Sequence, residues 1–142
     1  MTQETQKYWL IKSEPHTWSF DQQRAVKIEP WDGVRNYQAR NFLKMMNVND
    51  LCFFYHSVKE KRIVGIVRVV SEYKPDSTDS TGTFGLRDMG CVKDLTHPVT
   101  LEDIKKIRSL ENMILLKQSR LSVQPVSPDE WETILNLSGT KL

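Results

Sequence analysis

The sequence predicts an α+β fold, a small curved β-barrel of five or six strands with three or four short helices at its edges. Strand-like apolar runs recur at spacings too close for a doubly wound βαβ sheet. Between them, Ser, Asn or Thr residues sit where helix caps belong, each followed by a short helical stretch. No repeat, low-complexity tract or linker divides the 142 residues, so residues 1–142 read as one domain, with 1–7 as a flexible N-terminal lead.

"YWLIKSE" (Tyr8 to Glu14) is the first strand, stopped by Pro15. Ser19 with Gln22 forms a capping box for a helix from Phe20 to about Ala25. "WDGVRNYQARNFLKMM" follows. Asp32-Gly33 is a turn signal, and Asn36 is a helix N-cap. Ala39, Phe42, Leu43 and Met46 then fall at i, i+3, i+4 and i+7, one core-facing stripe. "DLCFFYHS" suits a buried strand, and "RIVGIVRVVSEY" is the strongest strand in the chain. Gly65 inside it marks a bulge, a barrel bend or a close backbone approach. "PDSTDSTGT" is a loop and "FGLRDMGCVKDL" a weaker strand. Thr100 with Asp103 opens a helix to about Ile107. "MILLK" fits strand or helix. "SRLSVQPV" alternates and reads as a strand near an edge, because Pro125 cannot donate to a ladder. The last helix has Ser127 as N-cap, Pro128 at its first position, Glu130 completing the box, Val126 stapling to Trp131, and Gly139 past its end.

Composition narrows the function. Net charge is +2 and sequence pI about 8.5, milder than proteins that bind nucleic acid chiefly by neutralising phosphates. A nucleic-acid site here is therefore local. No run approaches a membrane span, no signal peptide is visible, and Cys52 and Cys91 read as buried free thiols of a reducing compartment. The expected location is cytoplasmic, or nuclear in a eukaryote. Metal-ligand spacings, phosphate loops and a G-x-S-x-G elbow are missing, so neither a metal nor another cofactor is expected. His56 with Ser57 or Glu14 leaves a small hydrolase as the least favoured reading; the protein is expected not to be an enzyme.

The polar half of the Trp31 segment offers more. Arg35, Asn36 and Tyr37 stand at a helix mouth, where free N–H groups and the dipole favour anions or carbonyl-rich ligands. Aromatic, amide and guanidinium groups together can stack on and hydrogen-bond a flat polar ring. Spacing alone leaves the plainer alternative open, in which Trp31 and Tyr37 are core aromatics and the arginines are solvated.

Taken in order, "YWLIKSEP", "WDGVRNYQARNFLKMM", "FFYHS", "IVGIVRVV" and "SRLSVQPVSPDEW" closely resemble the EVE domain, from about Tyr8 to Gly139. The resemblance implies a PUA-like fold, similar to the YTH domains that read methylated adenine in RNA. It implies a non-enzymatic reader of a modified base, a modified cytosine in DNA or a modified base in RNA, acting as a monomer without membrane contact. By position, Lys12, Ser13 and Glu14 would line one wall of a base-sized pocket. Trp31, Gly33, Val34, Arg35, Asn36 and Tyr37 would form its turn and helix mouth, and Tyr55, His56 and Ser57 the opposite side. Arg40, Arg120, Ser122 and Gln124 would approach nucleic acid at the rim. The loop before Phe84 is short, and Phe84 stands where the family usually has Trp. The same pocket would also suit a free nucleoside or another small planar metabolite.

Overall fold

The structure is a computed structural model and describes residues 6–142. Of the expected flexible lead, residues 1–5 lie outside the described residues. Gln6 and Lys7 lie within them and are tied down: Gln6 Nε2 donates to the Asn49 carbonyl (2.6 Å) and Lys7 N–H to Asp50 Oδ1 (3.1 Å).

One curled sheet of six strands organises the molecule, in the order β2-β7-β4-β3-β1-β8. β1 (Tyr8–Ser13) runs parallel to β3 (Leu51–His56) and antiparallel to β8 (Val123–Val126). β4 (Arg62–Val69) joins β3 to the thirteen-residue β7 (Asp88–Thr100), and β2 (Ile28–Pro30) closes the far edge. β5 (Lys74–Pro75) and β6 (Gly85–Leu86) make a separate small ribbon. The sheet is a half-barrel, since β2 and β8 do not pair.

Apolar residues cover both faces of the sheet, which explains the unbroken run in "LCFFY". Cys52 and Phe54 face one core with Trp9 and Ile11; Phe53 and Tyr55 face the other with Leu10. On the first face lie α1 (Phe20–Val26) and α2 (Tyr37–Met45), through Phe20, Ala39 and Leu43. On the second lie α3 (Leu101–Lys105), a 3-10 turn at Arg108–Leu110, α4 (Ile114–Lys117) and α5 (Pro128–Ser138). Trp131 of α5 stacks on Phe53 (3.9 Å between centroids) and Tyr8 (4.5 Å), pinning that helix to the sheet.

Gly65 fulfils two of its three expectations. The β3–β4 register skips Val64, a bulge beside it. A Cβ at Gly65 would also overlap the ring of Phe20. That ring is itself buried and packs edge-on against Phe54 at 5.1 Å, so the bulge and the seat of the Phe20 ring fall at one point.

Four helix starts agree with their caps: Ser19, Asn36, Thr100 and Ser127 each accept a backbone N–H from the first turn. Gly139 ends α5 in the left-handed region. Elsewhere the structure differs. The weak strand expected over "FGLRDMGCVKDL" becomes β6 and the long β7, which pairs with β2 at residues 88–90 and is carried on through "THPVT" by β4 alone. β2 is a three-residue edge ending in Pro30, too short to carry a period. "MILLK" resolves as a helix, and the helix expected to reach Ile107 ends at Lys105. Cys52 is buried and Cys91 half-buried, both as free thiols, and burial pushes the Cys52 thiol up. Among the described residues no helix is long and apolar enough to cross a membrane.

Candidate functional site

Where β1 ends, the sheet opens on a cavity of about 530 Å³, within the usual range of small-ligand sites. Lys12, Ser13 and Glu14 form one wall, where the family resemblance puts them. Trp31, Gly33, Val34, Arg35 and Asn36 form the turn and helix mouth, and Ser122 approaches from the strand entry of β8. The opposite side comes from Thr17 and Trp18, and Glu29, Pro30 and Asp32 complete the lining. Of these, Thr17, Trp18, Glu29 and Pro30 were not anticipated, whereas Asp32 lies within the Trp31 segment. Only Trp18, an unassigned aromatic just before a cap, carried a signal.

Tyr55, His56 and Ser57, expected on that opposite side, are not part of the lining. The period of β3 turns Tyr55 into the second core, where burial pushes its phenol up to about 12. Both ring nitrogens of His56 are engaged. Nε2 accepts the Phe20 N–H (3.1 Å), so Nδ1 is left to donate to Glu60 Oε1 (2.9 Å). The ring thus satisfies the first helical N–H of α1 and has no lone pair free for a nucleophile. Ser57 pairs its N–H with the Ser13 carbonyl.

Trp31 and Tyr37 part company. Trp31 is 9% exposed, packs edge-on to Phe54 at 5.5 Å and still lines the cavity. Tyr37 is 62% exposed and belongs to neither core. Gln124 is fully buried, its Nε2 donating to the Leu121 carbonyl and its Oε1 unpartnered, so it lies away from the rim. Arg120 borders a shallower recess of about 340 Å³ with Lys117 and Gln38; Asn36 borders both spaces.

The shape of the mouth is set from a distance. Asp76, 2% exposed, accepts from the Gly33 N–H (2.8 Å) and from Arg35 Nη1 (3.1 Å) through Oδ2. Its Oδ1 accepts the Thr78 N–H (2.8 Å) and hydroxyl (2.6 Å). Burial alone would push this carboxyl up; the bonds from Thr78, Gly33 and Arg35 outweigh it and hold it far below the usual carboxylate range. Gly33, at φ +78°, takes the conformation this turn requires. Asp79 repeats the pattern with the N–H and hydroxyl of Thr81 and also accepts the Phe84 N–H. The "PDSTDSTGT" loop is therefore two successive Asp-x-Thr turns. Arg87, also buried, donates to the Leu43 and Lys44 carbonyls at the end of α2, while its own carbonyl receives the Trp31 N–H.

Electrostatically the cavity is mixed. Three carboxylates line it, Glu14, Glu29 and Asp32, against Lys12 and Arg35. Burial, then the nearby Asp32, raises the Glu29 carboxyl. Lys12 Nζ donates to the Ser119 carbonyl (2.6 Å), and burial lowers its pKa. Both cations are thus engaged with the protein. Such a lining disfavours phosphate and suits a flat ring that carries amino donors. Among the described residues no cluster of His, Cys, Asp and Glu is arranged to hold a metal ion.

A six-stranded half-barrel with helices on both faces is a fold of the PUA-like class. The chain belongs to the EVE domain family, whose model matches residues 7–137. It is 34% identical to mouse thymocyte nuclear protein 1 over 168 residues, covering 94% of this chain and 74% of that protein. Among solved structures it is similar to human THYN1 protein in complex with 5-methylcytosine-containing DNA. The TM-score is 0.89 and the identity 30%, over 96% of this chain and 99% of that one. The YTH domain of Zygosaccharomyces rouxii MRB1, in complex with N6-methyladenosine RNA, shares the fold alone (TM-score 0.61, 13% identity, 97% and 90% covered).

Proposed function

We propose that this protein reads a modified base in nucleic acid, a modified cytosine in DNA first of all, by enclosing the extruded base in the cavity beside Trp31. The observation that carries this reading is the lining: aromatic walls and acceptor groups inside, with Arg40, Lys117 and Arg120 kept outside. Cytosine presents an amino donor on its edge, which carboxylate or carbonyl oxygens accept. The phosphates then stay at the rim. Extruding a base costs a few kcal/mol, and stacking returns about 1–3 kcal/mol of it. The DNA-bound relative supports the same ligand class. No chemistry on the base is required of any side chain.

The test is a titration of matched oligonucleotides carrying cytosine, 5-methylcytosine or N6-methyladenine, with the free nucleosides alongside. One methyl group in a fitted pocket is worth about 1–3 kcal/mol, so a preference of roughly tenfold for one modified strand is expected. Equal affinity for all strands would overturn the reading. Nucleosides bound as tightly as strands would instead favour a small-metabolite module.

A further inference from the structure

Tyr37 is the first residue of α2, and its large exposed ring belongs to neither core. It lies 5.2 Å from the ring of Phe84, tilted by 42°. The Arg40 guanidinium lies 5.0 Å from the Tyr37 ring and 5.9 Å from Phe84, and the Arg35 guanidinium lies 5.7 Å from Phe84. An exposed ring, Tyr37, and a half-buried one, Phe84, are thus flanked by two guanidinium groups. The arrangement is held in place. Asp79 fixes the Phe84 backbone, Arg40 donates to the Thr83 carbonyl (3.3 Å), and Arg35 is anchored to Asp76 and to Thr78.

Its location gives it meaning. Arg35 and Asn36, which precede Tyr37, line the cavity, and the Arg35 guanidinium lies beside Phe84, so the two rings adjoin the cavity's lip. The interior is rich in carboxylates and the lip in guanidinium groups. A polyanion entering with one base must therefore keep its phosphates at the lip, beside Arg40. We infer that Tyr37 and Phe84 form a stacking platform for the nucleobase adjoining the one in the cavity, with Arg40 meeting the phosphate nearby. This rests on the base-reading proposal and adds a second base to the footprint. Such stacking tolerates any neighbouring base, because every base has a π face, and guanidinium groups add cation–π attraction.

The experiment compares single-stranded DNA bearing one central 5-methylcytosine in two forms, with normal neighbours and with abasic neighbours. Binding is measured by fluorescence anisotropy for the wild type, Tyr37→Ala, Tyr37→Phe and Phe84→Ala. For the wild type, abasic neighbours should weaken binding about tenfold. Tyr37→Ala should lose about tenfold on the normal strand and nothing more on the abasic one. Tyr37→Phe should behave as the wild type, because the ring stacks and the hydroxyl does not. Phe84→Ala should fall between. Wild-type binding that ignores abasic neighbours, or a Tyr37→Ala protein that remains as sensitive to them as the wild type, overturns the platform. The wild-type ratio between methylated and unmethylated strands reports separately on the cavity. A ratio of one overturns base reading there, whereas the platform stands or falls on the abasic comparison.

Discussion

Asn36 lines the cavity and Asp76 braces its mouth through Gly33 and Arg35, and substitutions can separate what each contributes. Asn36 Oδ1 accepts the Ala39 N–H and so caps α2, and the same residue lines the cavity. Asn36→Ala should cost about 1 kcal/mol of stability together with any binding loss. Asn36→Ser keeps a good N-cap and removes the amide without adding a charge. Its melting temperature should match the wild type while its affinity for a methylated strand changes; an unchanged affinity would exclude the amide from recognition. Asp76 gives a pH signature. Its folded pKa lies below the unfolded value of about 3.9, so the carboxylate stabilises the fold above that pH. That contribution fades as pH falls through the unfolded value toward the folded one. Asp76→Asn should therefore be less stable than the wild type at pH 7, by about 1–3 kcal/mol, and the gap should narrow below about pH 4. Urea midpoints at pH 7, 4 and 3 check this; a gap constant with pH would show that the charge is not what Asp76 contributes.

At the level of the element, β4 and α1 meet at one point, the Phe20 ring over Gly65. Gly65→Ala should destabilise by about 1–3 kcal/mol through overpacking. In a Phe20→Leu background the cost of the same change should shrink, and a double-mutant cycle measures the coupling. Additive costs would place the strain elsewhere. The same contact shows what sequence can reveal. The glycine inside "RIVGIVRVV" announces a bend or a close approach, but only the tertiary arrangement identifies Phe20, 45 positions earlier, as the partner. Helix caps were legible because capping is local: Ser19, Asn36, Thr100 and Ser127 each bond within three residues. β2, by contrast, exists because β7 offers it an edge. The site divides along the same line. The walls from Lys12 to Glu14 and from Trp31 to Asn36 followed from contiguous motifs. Asp76 did not, because its ties to Gly33 and Arg35 span more than forty positions.

For the molecule as a whole, charge placement matters more than the net +2. If the rim contacts are Arg40, Lys117 and Arg120, about three phosphates are neutralised. The logarithm of affinity for single-stranded DNA should then fall with log salt at a slope of about −2. A slope near zero would mean that the strand backbone is not touched, and one much steeper would mean a wider basic track. The sheet order carries a consequence of another kind, for synthesis. Ile11 of β1 pairs with Val123 of β8, so β1 remains without one of its two neighbours while most of the chain is still being made. At translation rates of about 5–20 residues per second, that wait lasts roughly 5–20 s. During it, the apolar edge of "YWLI" is open to any strand it meets. The fold is of high contact order around β1, and the interval before β8 emerges is when aggregation competes most directly with folding.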